Sequence, residues 1–389
     1  MRIDDAVNAP PTLSFGAKIA ARAKAGHEVA SLGLGELDVE TPAHVVEAAH
    51  RAMRDGFTKY SSGAGLPELR EAIAAKLGRD NTIKAAPEEI VVVPGAKNAL
   101  FLASAALLEP GDGAVLLTPG YVSNKPIVLL AEPSCKVVEV ALRAPDFSLD
   151  RESLKSAVGP KTRLLISNFP HNPTGRMLDA AEARFLADLM RAYPRLHLIS
   201  DEIYEKLALG AQAMISPASF ADVASRVVTI NGFSKAYAMT GWRIGYAHAH
   251  KDVAGRILRI HQQLNTHTAP FTQKAALAAL TGPQDHLVLL VERLRACRSA
   301  YEAFLRARPR LSGAVPDGGL FGFVKIGASG WTSDAFCSAL VEETGVAVLP
   351  GASFGPAWDQ WCRVTLALEP SAFASALAAL GDLAERGPR

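Results

Sequence analysis

A lysine among small residues is the first feature of this chain with a chemical meaning. It lies in Asn231-Gly232-Phe233-Ser234-Lys235-Ala236-Tyr237-Ala238-Met239-Thr240-Gly241-Trp242-Arg243-Ile244-Gly245-Tyr246, directly after the β-branched run Val227 to Ile230. Open α/β sheets bind ligands beyond the C-terminal ends of their strands. Small neighbours let a ligand approach the backbone. A desolvated lysine loses proton affinity and can form a Schiff base with a carbonyl. Arg243 carries a planar fork suited to a phosphate. Taken alone, these two residues also fit a plainer reading, a surface lysine beyond a glycine-rich turn.

Other apolar runs end in comparable groups. Asn168-Phe169-Pro170-His171-Asn172-Pro173-Thr174-Gly175 follows Leu164 to Ser167. Its prolines stiffen the turn and keep the preceding residues out of helix, so the Asn172 amide can be presented to a ring substituent. Asp201-Glu202-Ile203-Tyr204 follows His197 to Ser200. There the acid can pair with a heteroaromatic nitrogen and Tyr204 can offer a phenol to the same ligand, although a lone acid in such a place often caps a helix. Gly95-Ala96-Lys97 lies between Ile90 to Val93 and the apolar helical stretch Ala99 to Leu108. Backbone amides at a helix start bind phosphate.

The elements that must hold these groups follow from the hydrophobic pattern. Short strands are expected at Ile90 to Val93, Ala114 to Leu117, Lys136 to Val140, Leu164 to Ser167, His197 to Ser200, Val227 to Ile230 and Ile244 to Ala247. Helical stretches such as Ala180 to Met190 and Ala254 to Leu264 alternate with or follow them. That alternation predicts an α/β fold with a mostly parallel central sheet sandwiched by helices. After Pro283 the pattern changes to a long helix, His286 to about Arg306, then short strands at Phe321 to Val324, Val346 to Leu349 and Arg363 to Leu366. Helices near Ser333 to Glu343 and Ser371 to Ala384 complete a smaller α+β domain. The expected division is a large domain over 46–282, with 1–45 and 283–389 forming an N-terminal arm and a small C-terminal domain.

Composition narrows the function class. The chain has 389 residues, 49% hydrophobic and 21% charged, with a formal net charge of +2. These are values of an ordinary globular protein long enough to bury a large core without disulfides or metals. The balanced charge argues against a nucleic-acid partner, and no apolar run approaches the length of a membrane span. Met1-Arg2-Ile3-Asp4-Asp5 does not read as a secretory leader. The four cysteines are scattered, with no metal or redox spacing. A cytoplasmic enzyme or binding protein is the expectation, with no metal site.

From about Gly33 to about Leu368 the chain resembles fold-type I enzymes dependent on pyridoxal 5′-phosphate, in the class I/II aminotransferase family and its aspartate aminotransferase-like branch. The resemblance rests on Asn172-Pro173-Thr174-Gly175, on Ser200-Asp201-Glu202-Ile203-Tyr204, and on Ser234-Lys235 followed by Met239-Thr240-Gly241-Trp242-Arg243-Ile244-Gly245. It implies that Lys235 forms the internal aldimine with the cofactor and then shuttles the proton between substrate Cα and cofactor. Asp201 would keep the pyridine nitrogen protonated. Asn172 and Tyr204 would hydrogen-bond the ring's phenolate oxygen, and Tyr121 would stack on the ring. Arg243, Ser234 and the Gly95-Ala96-Lys97 amides belong to the cofactor site. Arg363 would clamp the substrate α-carboxylate, close to the Gly35 backbone. Tyr60, in Lys59-Tyr60-Ser61-Ser62-Gly63, would reach the phosphate of a neighbouring subunit, which implies a homodimer with shared active sites.

The implied activity is transfer of an amino group between an L-amino acid and a 2-oxo acid by a ping-pong route. Elimination, replacement or cyclisation on the same scaffold would use the same residues and remains open at this level. A cofactor-binding regulator is not expected, because about 45 residues before the first core motif leave little room for a DNA-binding domain. Four positions depart from the family pattern: Tyr121 and Gly120 where tryptophan and a bulkier residue are common, Gly232 where many relatives carry a serine, and Leu37 where proline is usual. His171 reads as a turn histidine, and His267 lies in a segment that lines the site in relatives.

Overall fold

The computed structural model describes residues 29–326 and 330–388, together with Arg22, Lys24 and Gly26. Met1 to Asp5 and most of the N-terminal arm lie outside the described residues. The chain enters through β1 (Ala30–Ser31). After the helices Ala43–Arg54 and Pro67–Asn81 it lays down β2 (Ile90–Val93), β3 (Gly113–Thr118), β4 (Lys136–Ala141), β5 (Thr162–Asn168), β6 (His197–Asp201), β7 (Val227–Gly232) and β8 (Gly245–His248). These seven strands form one sheet in the order β2-β8-β7-β6-β5-β3-β4.

From β7 across to β4 every pairing is parallel, and only β8 runs against its neighbours β2 and β7. Every residue of β2, β6 and β7 is buried. Such strands read as continuous apolar runs because helices cover both faces of the sheet. The expected strands therefore appear where the pattern placed them. The helix after β2 begins at Ala96, earlier than the apolar stretch from Ala99 suggested, and runs to Leu107. That early start brings its N-terminus to the edge of the sheet.

Past the helix Asp285–Ala307 come β9 (Phe321–Lys325), the helix Ser333–Thr344, β10 (Val346–Ala347), β11 (Leu349–Pro350), β12 (Trp361–Thr365) and the helix Pro370–Arg386. β11, β12 and β9 make an antiparallel sheet, while β10 pairs in parallel with β1. The run Val346 to Leu349 was expected as one strand. It divides at Val348, because the incoming β1 takes the hydrogen bonds of the first half and β12 those of the second. Among the described residues, no helix is long and apolar enough to cross a membrane, and no group of three or more His, Cys, Asp or Glu is placed to hold a metal.

An aromatic cluster fastens the small sheet to the loop after β4. The Phe323 ring on β9 stacks on Trp361 at 5.3 Å, and Phe147 meets both Trp361 (5.2 Å) and Phe323 (5.9 Å). Phe323 is fully buried. Its replacement by alanine is expected to cost about 3–5 kcal/mol of stability, read as a lowered midpoint in urea unfolding followed by tryptophan fluorescence.

Candidate active site

The C-terminal ends of β5, β6 and β7 converge with the N-terminus of the helix Ala96–Leu107 on one cavity of about 340 Å³. This volume suits a small ligand. Lys235 lies in the turn beyond β7, with its side chain still partly accessible through the cavity. Its ammonium donates to the carbonyl of Gly35. Desolvation, with Arg363 and Arg243 adding repulsion and Glu36 opposing them, pulls this amine down from 10.5 to about 8. A lysine in that state is neutral in a useful fraction near physiological pH.

Asp201 ends β6 and is buried. Its Oδ1 accepts the Ile203 N–H at 3.3 Å. Burial outweighs that bond and pushes the carboxyl up to about 7. A buried acid of this kind is poised to pair with a cation. Tyr204 is buried beside it, edge-on to Phe321 at 5.8 Å, with the Lys235 amine 5.9 Å from the centre of its ring. Burial raises the Tyr204 hydroxyl well above its usual value, so it remains a phenol and a hydrogen-bond donor.

Arg363, on β12, is buried among these groups. Its Nη1 donates to Asn172 Oδ1 at 3.0 Å and its Nη2 to the Gly33 carbonyl at 2.6 Å. The guanidinium lies 4.1 Å from the centre of the Phe321 ring, and its Nε is buried with no acceptor. Burial lowers it to about 10, so it stays charged at neutral pH. A planar cation with a spare buried donor is suited to an incoming carboxylate.

The other end of the cavity is built for an anion. Asn98 and Ala99 make the first bonds of the helix, to the Gly95 carbonyl at 3.0 and 3.2 Å, so the N–H groups of Ala96 and Lys97 precede the intrahelical ladder. Gly95 adopts φ of +89°, and a Cβ there would stand 2.7 Å from Arg243 Nη2. The positive φ favours glycine, and any side chain there would have to displace the Arg243 guanidinium. Arg243 is held by donation from Nη1 to the Thr240 carbonyl at 2.7 Å. Ser234 and Tyr121 also line the cavity.

Gly35 is brought in as expected; a Cβ there would press on the Phe321 ring at 2.8 Å. Tyr60 is not in the cavity of its own chain. It is 88% exposed and sits edge-on to His267 at 5.7 Å. His171 is buried, stacks on Phe169 and bonds Thr174 through Nδ1 at 2.8 Å, which is a structural role in the turn. His267 bonds the Thr268 carbonyl and does not line the cavity. Gly232 faces a small space behind β7, where a Cβ would meet Gly245 Cα and the Ile244 carbonyl at 3.0 Å. A Cβ on Gly120 would stand 2.2 Å from the Leu117 carbonyl, so the bulkier residue of relatives needs a different backbone path here.

Sequence reasoning missed three contributors. Asn168 bridges Asp201 and Asn172, Phe321 supports the plane of Arg363, and the side chain of Lys97, 5.7 Å from the centre of the Tyr121 ring, adds a further cation to those of Lys235, Arg243 and Arg363 in the cavity. Asn168 was visible as the residue where an apolar run meets a proline-rich turn. The direction of the Lys97 side chain is set by Tyr121, a residue distant in the chain.

Comparison with known proteins matches this geometry. A model of the aminotransferase class I and II family matches residues 27–380. The chain belongs to that family. An aspartate aminotransferase from Rhizobium meliloti (strain 1021) is 38% identical over 355 residues, 88% of this chain and 86% of its own. An aspartate/prephenate aminotransferase from Cereibacter sphaeroides is 37% identical, with 86% of each chain covered. The crystal structure of the aspartate aminotransferase from Rhizobium meliloti superposes with a TM-score of 0.92 at 33% identity, covering 99% of this chain and 98% of that one. The chain is therefore an aminotransferase of fold type I, and elimination, replacement or cyclisation gives way to amino-group transfer.

For this aminotransferase, the position of the Lys235 amine makes a measurable claim. Reductive methylation of Lys235 in ligand-free protein, followed by peptide mapping across pH, is expected to reach half its limiting rate near pH 8. Only the neutral amine attacks an aldehyde. A half-point near 10.5 would mean that the amine is not desolvated.

Proposed function

We propose that this aminotransferase holds pyridoxal 5′-phosphate in the cavity described above and exchanges amino groups between an acidic L-amino acid and a 2-oxo acid. The observation that carries the reading is the convergence of Lys235, Asp201 and Arg363 on one cavity with a helix N-terminus at its far end. The donor set fits the cofactor. The Ala96 and Lys97 amides and the Arg243 fork suit its phosphate, the tight Gly95–Arg243 approach leaving no side chain in the way. Asp201 suits the ring nitrogen, Asn172 and Tyr204 the ring oxygen, and Tyr121 one face. When bound, the cofactor supplies an electron sink for the negative charge that develops at the substrate Cα.

The protein's own groups then divide the work. Arg363 binds the α-carboxylate and fixes the substrate's orientation, its spare Nε adding a donor. Lys235, lowered to about 8, takes the proton from Cα and returns it elsewhere as general base and acid. Asp201, left near 7 by burial alone, is drawn fully into its charged form by a cationic ring nitrogen and holds that cation in place. Tyr204, kept protonated, donates to an oxyanion.

Two findings support an acidic substrate. The relatives above are named as aspartate and aspartate/prephenate aminotransferases. The Lys97 side chain lines the cavity and forms no ion pair among the described residues, which leaves it for a distal carboxylate. The exposed Tyr60, steadied by His267, fits a role across the interface of a homodimer. Within each subunit we assign 46–282 to the cofactor domain and the remainder to the arm and small domain. A cytoplasmic location completes the reading.

Mixing loaded enzyme with L-aspartate alone is expected to give one equivalent of oxaloacetate and the aminated cofactor, measured spectrally and by product assay. Release of ammonia instead would overturn the proposal. Lys235→Ala is expected to slow this half-reaction by at least about 10²–10⁴-fold, with borohydride no longer fixing the cofactor to residue 235. Lys97→Met is expected to lower kcat/KM for aspartate by about 10–100-fold, as loss of a charged hydrogen bond implies, while a neutral aliphatic amino acid changes little.

A further inference from the structure

Asn168 closes β5 and is buried, yet it brings neither charge nor a transferable proton to the site. Its amide works in two directions. Nδ2 donates to the Asp201 carbonyl at 3.0 Å, and Oδ1 accepts the Asn172 N–H at 3.1 Å. The parallel ladder places Asn168 opposite Asp201 and ends there. Beyond it the chain enters a turn containing Pro170 and Pro173, which have no N–H to offer. The Asn172 N–H is thus one of few donors by which that turn can be fastened to the sheet, and it is spent on Asn168. The Asp201 carbonyl keeps a second donor, the Phe169 N–H at 3.2 Å, so removal of the amide falls hardest on Asn172.

Asn172 in turn holds one arm of Arg363, while Gly33 holds the other and Phe321 sets the plane. A bidentate grip on a carboxylate needs this fork aligned within about half an ångström and 10–20°. We propose that Asn168 is the positioning residue of the carboxylate clamp, keeping Asn172, and through it Arg363, in register with Asp201. The proposal rests on the assignment of Arg363 to the substrate α-carboxylate. It makes Asn168 act on substrate affinity in preference to the chemical step.

A double-mutant cycle on the loaded enzyme tests it, with Asn168→Leu, Arg363→Lys and the pair. The readouts are KM and kcat for L-aspartate, the Kd of cofactor, and the Kd of succinate, an unreactive dicarboxylate, followed by protein fluorescence. Asn168→Leu is expected to raise KM and the succinate Kd about tenfold, leaving kcat within about threefold and shifting the cofactor Kd by less than the succinate Kd. In the Arg363→Lys background the same change is expected to add less than about twofold, because the two residues act through one contact chain. Additive effects, or a fall in kcat or cofactor affinity at unchanged KM, would overturn the positioning role. An Arg363→Lys variant with wild-type KM would overturn the clamp assignment itself, which is a separate result. If Asn168→Leu does not fold, Asn168→Ala enters the same cycle under the same criteria.

Discussion

A guanidinium buried at the meeting point of three chain segments governs this structure. Arg363 must find acceptors or lose far more than its attraction to any ligand returns, since an unpaired charge is costly in a protein interior. It finds them on Asn172, after the central sheet, and on Gly33, beside the arm. β12, the proline-rich turn and the entering strand are thereby fixed to one another. The arm is fixed again where β1 joins β10 and where Gly35 accepts from Lys235. The small sheet closes on the large one around polar contacts as much as around its aromatic cluster.

Desolvation sets the chemistry by moving groups in opposite directions. The same burial that lowers Lys235 to about 8 raises Asp201 to about 7. Each group is brought close to neutral pH, so a partner of the right kind can decide its charge. Arg363, with a much higher starting value, remains charged through the same burial. The cavity therefore presents a poised base, a poised acid and a permanent cation, with no change of environment needed to distinguish them.

Much of this was legible from the chain. The strands could be read because parallel strands buried on both faces are continuous apolar runs, and β2, β6 and β7 are of that kind. Lys235, Asp201 and Asn172 could be read because each follows such a run, where sheets open to ligands. Pairing was less accessible. Nothing local in Val346 to Pro350 announces that Val348 divides two sheets, since the partners lie at Ala30–Ser31 and in β12. The bond from Asn168 to Asp201 and the Phe321 ring under Arg363 join residues far apart in the chain. Periodicity reports which face is buried, not what waits there. Gly120 shows the same limit, because its need for a missing side chain comes from the carbonyl of Leu117.

The antiparallel strand has a consequence for the order of assembly. β8 lies between β2 and β7, so β2 has no place in the sheet until β8 has left the ribosome. Contacts of such long sequence separation form late, because loop closure must precede them. The helix Ala96–Leu107 follows β2 directly and packs across β6, β7 and β8, so it bridges the early and late parts of the sheet. Pairing of β2 with β8 sets Val93 opposite Gly245, and this register is what brings Gly95 beside Arg243 and the anion end of the cavity beside the lysine end.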